Sequence, residues 1–186
     1  MIKKLIPNYY FKSVYDIPYE KMYEDGIRLI LTDMDNTLIS YKQTLPDENL
    51  FELKKKIESL GFEFMVVSNS RKKRVDNFCS AYNIKYVKFA TKPLKRGIKK
   101  AIKMASKKYK NNEILILGDQ LMTDIYAGNR CHLVVGLVEA IDKKTDIGPT
   151  RFNRKLERHF LKKIRKKMPE EYNKYLKEYG DSVLWL

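Results

Sequence analysis

The sequence predicts an α/β domain of three layers, doubly wound, with a mainly parallel central sheet. Two observations predict it. Short apolar, β-branched runs alternate with helical patterns along most of the chain, and three of those runs end in acidic or hydroxyl-bearing turns. Strands separated by helices pair in parallel, because each crossover returns the chain to the same edge of the sheet and lays a helix over one face.

Taken in order, the runs are Ile27 to Leu31, Phe62 to Val67, Ile84 to Val87, Glu113 to Leu117 and His132 to Val138. Each is short enough for a strand. Helical patterns fall at about Asp47 to Leu60, Arg71 to Tyr82, Pro93 to Tyr109 and Leu121 to Gly128. Gly61 stands where a C-terminal cap belongs, and Pro93 suits a first helical turn. The aromatic-rich N-terminal arm is expected to cover the core. From Phe152, apolar residues recur at Leu156, Phe160, Ile164 and Met168 with Leu161 alongside, which reads as a basic amphipathic helix. The organisation expected is a domain over 1–150 with its arm, the basic helix over 151–168 and a C-terminal tail over 169–186.

The chain has 186 residues, 44% of them hydrophobic, enough for a core of its own. No apolar run approaches the length of a membrane span, and the N-terminus lacks the long apolar core of a signal peptide. The location expected is cytoplasmic. Cys79 and Cys131 have no paired spacing for zinc or redox chemistry and read as small buried hydrophobes. The net charge of +15 is unevenly spread, with nine Lys or Arg against one Glu between Arg151 and Met168. That helix could rest on an anionic bilayer. A second use for the charge is nucleic acid, through Arg71-Lys72-Lys73-Arg74, the lysines from Lys92 to Lys110 and the same helix. No recognised nucleic-acid motif accompanies them.

Parallel sheets bind ligands beyond the carboxyl ends of their strands. Three turns fall there: Asp33-Met34-Asp35-Asn36-Thr37, Ser68-Asn69-Ser70 and Gly118-Asp119-Gln120-Leu121-Met122-Thr123-Asp124, with Thr91-Lys92-Pro93 beside them. Four converging carboxylates would repel unless a cation or protonation relieved them. Oxygen-only ligands point to Mg²⁺, and Lys92, Ser68 and exposed N–H groups suit phosphate oxygens. An Asp can attack phosphorus while a neighbouring carboxyl protonates the leaving oxygen and later deprotonates water. A calcium loop of EF-hand type is excluded, since Leu38 stands where Gly is needed and Thr44 where the bidentate Glu belongs. His132 and His159 read as structural or solvated.

In order and placement these four motifs resemble those of the haloacid dehalogenase (HAD) superfamily of phosphatases, with its Rossmann-like core. The resemblance implies that Asp33 is nucleophile and metal ligand, and that Asp35 is general acid/base and gives its main-chain carbonyl to the metal. It implies further that Ser68 binds phosphate with Asn69 beside it, that Lys92 neutralises charge, that Asp119 completes the Mg²⁺ site, and that Thr37 and Asp124 support it. Lys95 stands close enough to compete for the place of Lys92.

The intervals from Asp35 to Gly61 and from Ser70 to Thr91 each hold one helix and strand of the core, which leaves no room for a cap domain. Such chains resemble the capless subfamily IIIA, whose substrates are large: proteins, nucleic acids or lipid headgroups. Ile6-Pro7-Asn8-Tyr9-Tyr10, Gly128-Asn129-Arg130 and Thr150-Arg151-Phe152-Asn153-Arg154 with Glu157-Arg158 are similar to the YqeG-like branch, related to mitochondrial phosphatidylglycerophosphate phosphatases. That implies a lipid phosphomonoester and a place at the inner face of a membrane. A capless protein phosphatase and an RNA-associated factor are the alternatives.

Overall fold

The computed structural model describes residues 2–43, 47–71, 73–146 and 148–184. Residues 44 and 72, used above in weighing a calcium loop and a basic run, lie outside them.

Six strands form one parallel sheet: β1 (Tyr9–Phe11), β2 (Leu29–Thr32), β3 (Glu63–Val67), β4 (Lys85–Val87), β5 (Ile114–Gly118) and β6 (Val134–Val138), ordered β1-β6-β5-β2-β3-β4. Every pairing is parallel. The order reverses at β2, which lies between β5 and β3, with Leu31 level with Ile116 on one side and Met65 on the other. All four β2 residues are buried. Successive side chains point to opposite faces. Leu29 and Leu31 therefore join one core cluster with Ile98, Ile116 and Val135, while Ile30 joins the other with Leu50, Ile57 and Phe78. Helices on both faces explain why the central strands read as unbroken apolar runs. No cap domain is present among the described residues.

The helices are α1 (Tyr19–Glu24), α2 (Glu48–Ser59), α3 (Lys73–Ala81), α4 (Lys95–Met104), α5 (Tyr126–Arg130), α6 (Gly148–Lys167), α7 (Pro169–Tyr175) and α8 (Lys177–Leu184). Asp47 caps α2, its carboxylate accepting from the Asn49 N–H at 2.8 Å. The helix expected over 121–128 is present and opens as a π-helical turn, Leu121–Ile125, that runs into α5. The helix expected to reach Tyr109 stops at Met104. His132 adopts φ +59° in an exposed turn, so β6 starts two residues later than its apolar run suggests.

Two regions differ from expectation. Part of the N-terminal arm is itself an edge strand, β1, with Tyr9 paired to Gly136. Three residues carry too little periodicity to mark a strand. At the other end, α6 begins at Gly148, so a boundary at 150 falls within its first turn. Part of its stripe packs on the domain, Leu161 and Ile164 being buried in the first core cluster, whereas Phe152 at its start is exposed. The segment after 168 is two helices whose Tyr172, Leu176, Tyr179 and Val183 enter that same cluster. No helix among the described residues is long and apolar enough to cross a membrane. Both cysteines are free, Cys79 buried and Cys131 half-buried.

Candidate active site

β2 delivers Asp33 to the carboxyl edge by extending its pairing one residue, the Asp33 N–H donating to the Leu117 carbonyl at 2.9 Å. The chain then turns sharply. Asn36 sits at φ +62°, a conformation Asn tolerates, and the Leu38 and Ile39 N–H groups both donate to the Met34 carbonyl. Asp33 and Asp35 thereby line one cleft of about 390 Å³. Ser68, Asn69 and Ser70 enter it from the end of β3, Lys92 from the turn before α4, and Gln120 and Thr123 from the turn after β5. Tyr41, Arg71 and Arg74, with Pro149, Thr150 and Asn153 at the start of α6, complete the walls.

The Lys92 ammonium lies between two carboxylates, donating to Asp33 Oδ1 at 2.7 Å and to Asp124 Oδ1 at 2.6 Å. All three groups are buried. Burial alone would discharge the lysine, but Asp124 and Asp33 outweigh it and hold its pKa above the ordinary range. Burial pushes the Asp33 carboxyl up, with Lys92 opposing and Asp124, Asp119 and Asp35 reinforcing. Asn69 fixes the lysine from behind, its Nδ2 donating to the Lys92 carbonyl at 2.9 Å and its Oδ1 accepting from the Lys92 N–H at 2.7 Å. Asn69 thus contacts Lys92 first, where the sequence suggested phosphate. Lys95 sits in the first turn of α4, and it is Lys92 that the fold brings to Asp33. The Ser68 side chain accepts from the Ser70 N–H at 3.1 Å.

Gly118 permits the approach of Asp124, since a Cβ there would stand 2.2 Å from Asp124 Cγ. The Asp124 Oδ2 accepts from Thr123 Oγ1 at 2.9 Å, while Thr37 is buried with its hydroxyl unpartnered.

The four carboxylates are not left to repel one another. Lys92 bridges Asp33 and Asp124, Arg74 pairs with Asp35, and Arg154 of α6 pairs with Asp119. Arg74 also donates to the Ser40 carbonyl at 2.6 Å and the Gln43 carbonyl at 3.1 Å, binding the loop after Thr37 to α3. The sequence made a divalent ion the natural remedy for this charge; the fold supplies three side-chain cations. Among the described residues no three His, Cys, Asp or Glu side chains are placed to share one ion. A site of two carboxylates completed by a main-chain carbonyl, phosphate and water needs no third side chain. One atom suits such a role: Asp119 Oδ1 is buried and without a hydrogen-bond partner. Burial raises the Asp119 carboxyl to about 6 against the pull of Arg154.

Motif reading missed Arg74 and Arg154 as partners of the acidic residues. Arg154, Glu157, Leu161 and Ile164 share the buried face of α6. A charged pair in step with an apolar stripe was the available signal, and counting it with the solvated cations hid it.

The family described as "Mitochondrial PGP phosphatase" matches residues 2–141. The chain belongs to that family. It is 31% identical over 168 residues to "Probable phosphatase YqeG" of Bacillus subtilis (strain 168), covering 90% of this chain and 96% of that protein. It is therefore a phosphatase of HAD type. Among solved structures it is similar to an uncharacterized protein from Listeria monocytogenes serotype 4b, with a TM-score of 0.49 and 14% identity over 67% of this chain and 88% of that one. Another is the putative HAD-hydrolase YfnB from Bacillus subtilis, bound to magnesium, with a TM-score of 0.42 and 13% identity over 59% of this chain and 85% of that one.

Proposed function

We propose that this phosphatase hydrolyses phosphomonoesters with Mg²⁺ through an aspartyl-phosphate on Asp33, and that its substrate is a lipid such as phosphatidylglycerophosphate. The observation that carries the reading is the placement of Asp33 at the floor of an uncapped cleft, with one carboxylate oxygen held by Lys92. The residues fit a magnesium ion: Asp33 and Asp119 offer carboxylate oxygens, one of them unpartnered, and Asp35 a main-chain carbonyl. When bound, the ion supplies positive charge against the phosphate oxygens.

In this mechanism an Asp33 oxygen attacks phosphorus and the ester P–O bond breaks. The departing oxygen takes a proton from the Asp35 carboxyl, which leaves Arg74 to do so. Water then gives a proton back to Asp35 and attacks the phosphorus of the acyl-phosphate, breaking its bond to Asp33 and releasing inorganic phosphate. Lys92 opposes the upward push of burial on Asp33 and so favours its ionised form for attack, and Ser68 and Lys92 hold phosphate oxygens.

Three features support a lipid. The family description names PGP, the cleft has no cap, and exposed large apolar side chains neighbour cleft residues in contact or in sequence. Phe89 stacks under Arg71, a cleft residue, with the guanidinium 3.4 Å from the ring centroid, and Leu94 stands two residues after Lys92. Phe152, 66% exposed, adjoins the cleft residue Asn153. Such residues with nearby cations suit peripheral contact with an anionic bilayer.

The test is phosphate release from phosphatidylglycerophosphate vesicles, from an aryl phosphate, from a phosphopeptide and from 5′-phosphorylated RNA, with Mg²⁺ or EDTA. Preferred, EDTA-sensitive turnover of the lipid is expected. Turnover confined to the peptide, or tight RNA binding at physiological salt with the lipid untouched, overturns the lipid reading.

A further inference from the structure

We infer that Arg154 is a positioning residue for Asp119, clamping the carboxylate so that Oδ1 alone is left unpartnered and available to an ion. This rests on the magnesium reading above. Arg154 lies outside the residues matched by the family, yet its guanidinium reaches two atoms of Asp119: Nη2 pairs with Oδ2, and Nη1 donates to the main-chain carbonyl at 2.6 Å. Holding side chain and main chain of one residue together removes the freedom of the carboxylate to turn. A planar fork can do this where an ammonium cannot.

The fork is itself held. Its Nε donates to Asp146 Oδ2 at 3.2 Å, and Nη1 lies 3.4 Å from Glu157 Oε2 and 3.3 Å from Tyr179 Oη. Asp146 in turn accepts from Asn36 Nδ2 at 2.7 Å. Asn36 adjoins Asp35, so one guanidinium ties the turn that carries Asp33 and Asp35 to the strand end that carries Asp119. Buried polar atoms in folded proteins are nearly always satisfied; in this network Asp119 Oδ1 and Asn36 Oδ1 are the exceptions, and of the two only Asp119 Oδ1 belongs to a carboxylate.

A positioning role and a simple countercharge predict opposite signs. A guanidinium that merely occupied Asp119 would compete with Mg²⁺, and removing it would tighten metal binding. One that orients the carboxylate must weaken binding when lost, in the way outer partners of metal ligands do, by about 10- to 100-fold.

The experiment is calorimetric titration of MgCl₂ into the full chain and its Arg154→Lys variant, with thermal unfolding recorded in EDTA. The expected result is a Kd for Mg²⁺ at least ~10-fold weaker in Arg154→Lys. Asp146→Asn, which keeps the Asn36 contact but faces Nε with an amide, gives a smaller loss of the same sign and serves if the first variant does not fold. Unchanged or tighter Mg²⁺ binding in a folded variant overturns the inference while leaving the magnesium reading intact. A wild-type chain that takes up no Mg²⁺ overturns both.

Discussion

Two clusters of buried charge meet at the carboxyl edge of the sheet. In the first, Lys92 sits between Asp33 and Asp124 with both contacts under 3 Å. In the second, Arg154 is surrounded by Asp119, Asp146, Glu157 and the Tyr179 hydroxyl. The lysine is a compact point charge that can shift among oxygens, as the proposed handling of an incoming phosphate requires. The arginine spreads its charge over a fixed plane and suits atoms that must not move. One cluster opens on the cleft through Asp33 and Lys92, while in the other Asp119 and Glu157 are fully buried. The contrast separates a region built for exchange from one built for rigidity.

Variants can break that contrast. The largest effect is expected from Asp33→Asn, because an amide cannot form the acyl-phosphate; turnover of aryl phosphate should fall on the order of 10³-fold or more. Substantial residual hydrolysis would place the nucleophile elsewhere. Next is Lys92→Met, which strands two buried carboxylates and should cost about 3–5 kcal/mol in urea unfolding as well as activity. If stability were unchanged, the lysine would be purely a substrate-side group.

Within the rigid cluster, Tyr179→Phe removes the hydroxyl that donates to Glu157 at 3.0 Å. Leaving that acceptor short should cost about 1–3 kcal/mol with kcat nearly preserved. A loss of kcat without a loss of stability would place the Arg154 cluster in the chemistry. The smallest structural effect belongs to Phe152→Ser, at an exposed position, which should alter stability by no more than about 0.5 kcal/mol. It should still reduce co-sedimentation with anionic vesicles; undiminished sedimentation would remove Phe152 from the membrane-facing surface.

Much of the first cluster was legible in the sequence. Asp33, Ser68, Lys92 and Asp124 each lie in a turn that follows an apolar run, as Asp119 of the second cluster does, and a parallel sheet must gather such turns on one edge. The rest of the second cluster was not. Arg154 and Glu157 fall in a segment with nine cations, where charge reads as solvated surface, and Tyr179 lies in a stretch whose helices are too short for periodicity to declare them.

The order and spacing of the chain by themselves determined the alternation of strand and helix, the doubly wound sheet and the side chains brought to its carboxyl edge, because these depend on local periodicity and on the handed return of each crossover. Only the tertiary structure decided which cation each carboxylate received. It also decided that the basic helix buries Leu161 and Ile164 in the core and that β1 closes the edge beside β6. Those outcomes rest on pairings between residues far apart in sequence, from 32 positions for Lys92 and Asp124 to 127 for Tyr9 and Gly136, and no local pattern encodes them.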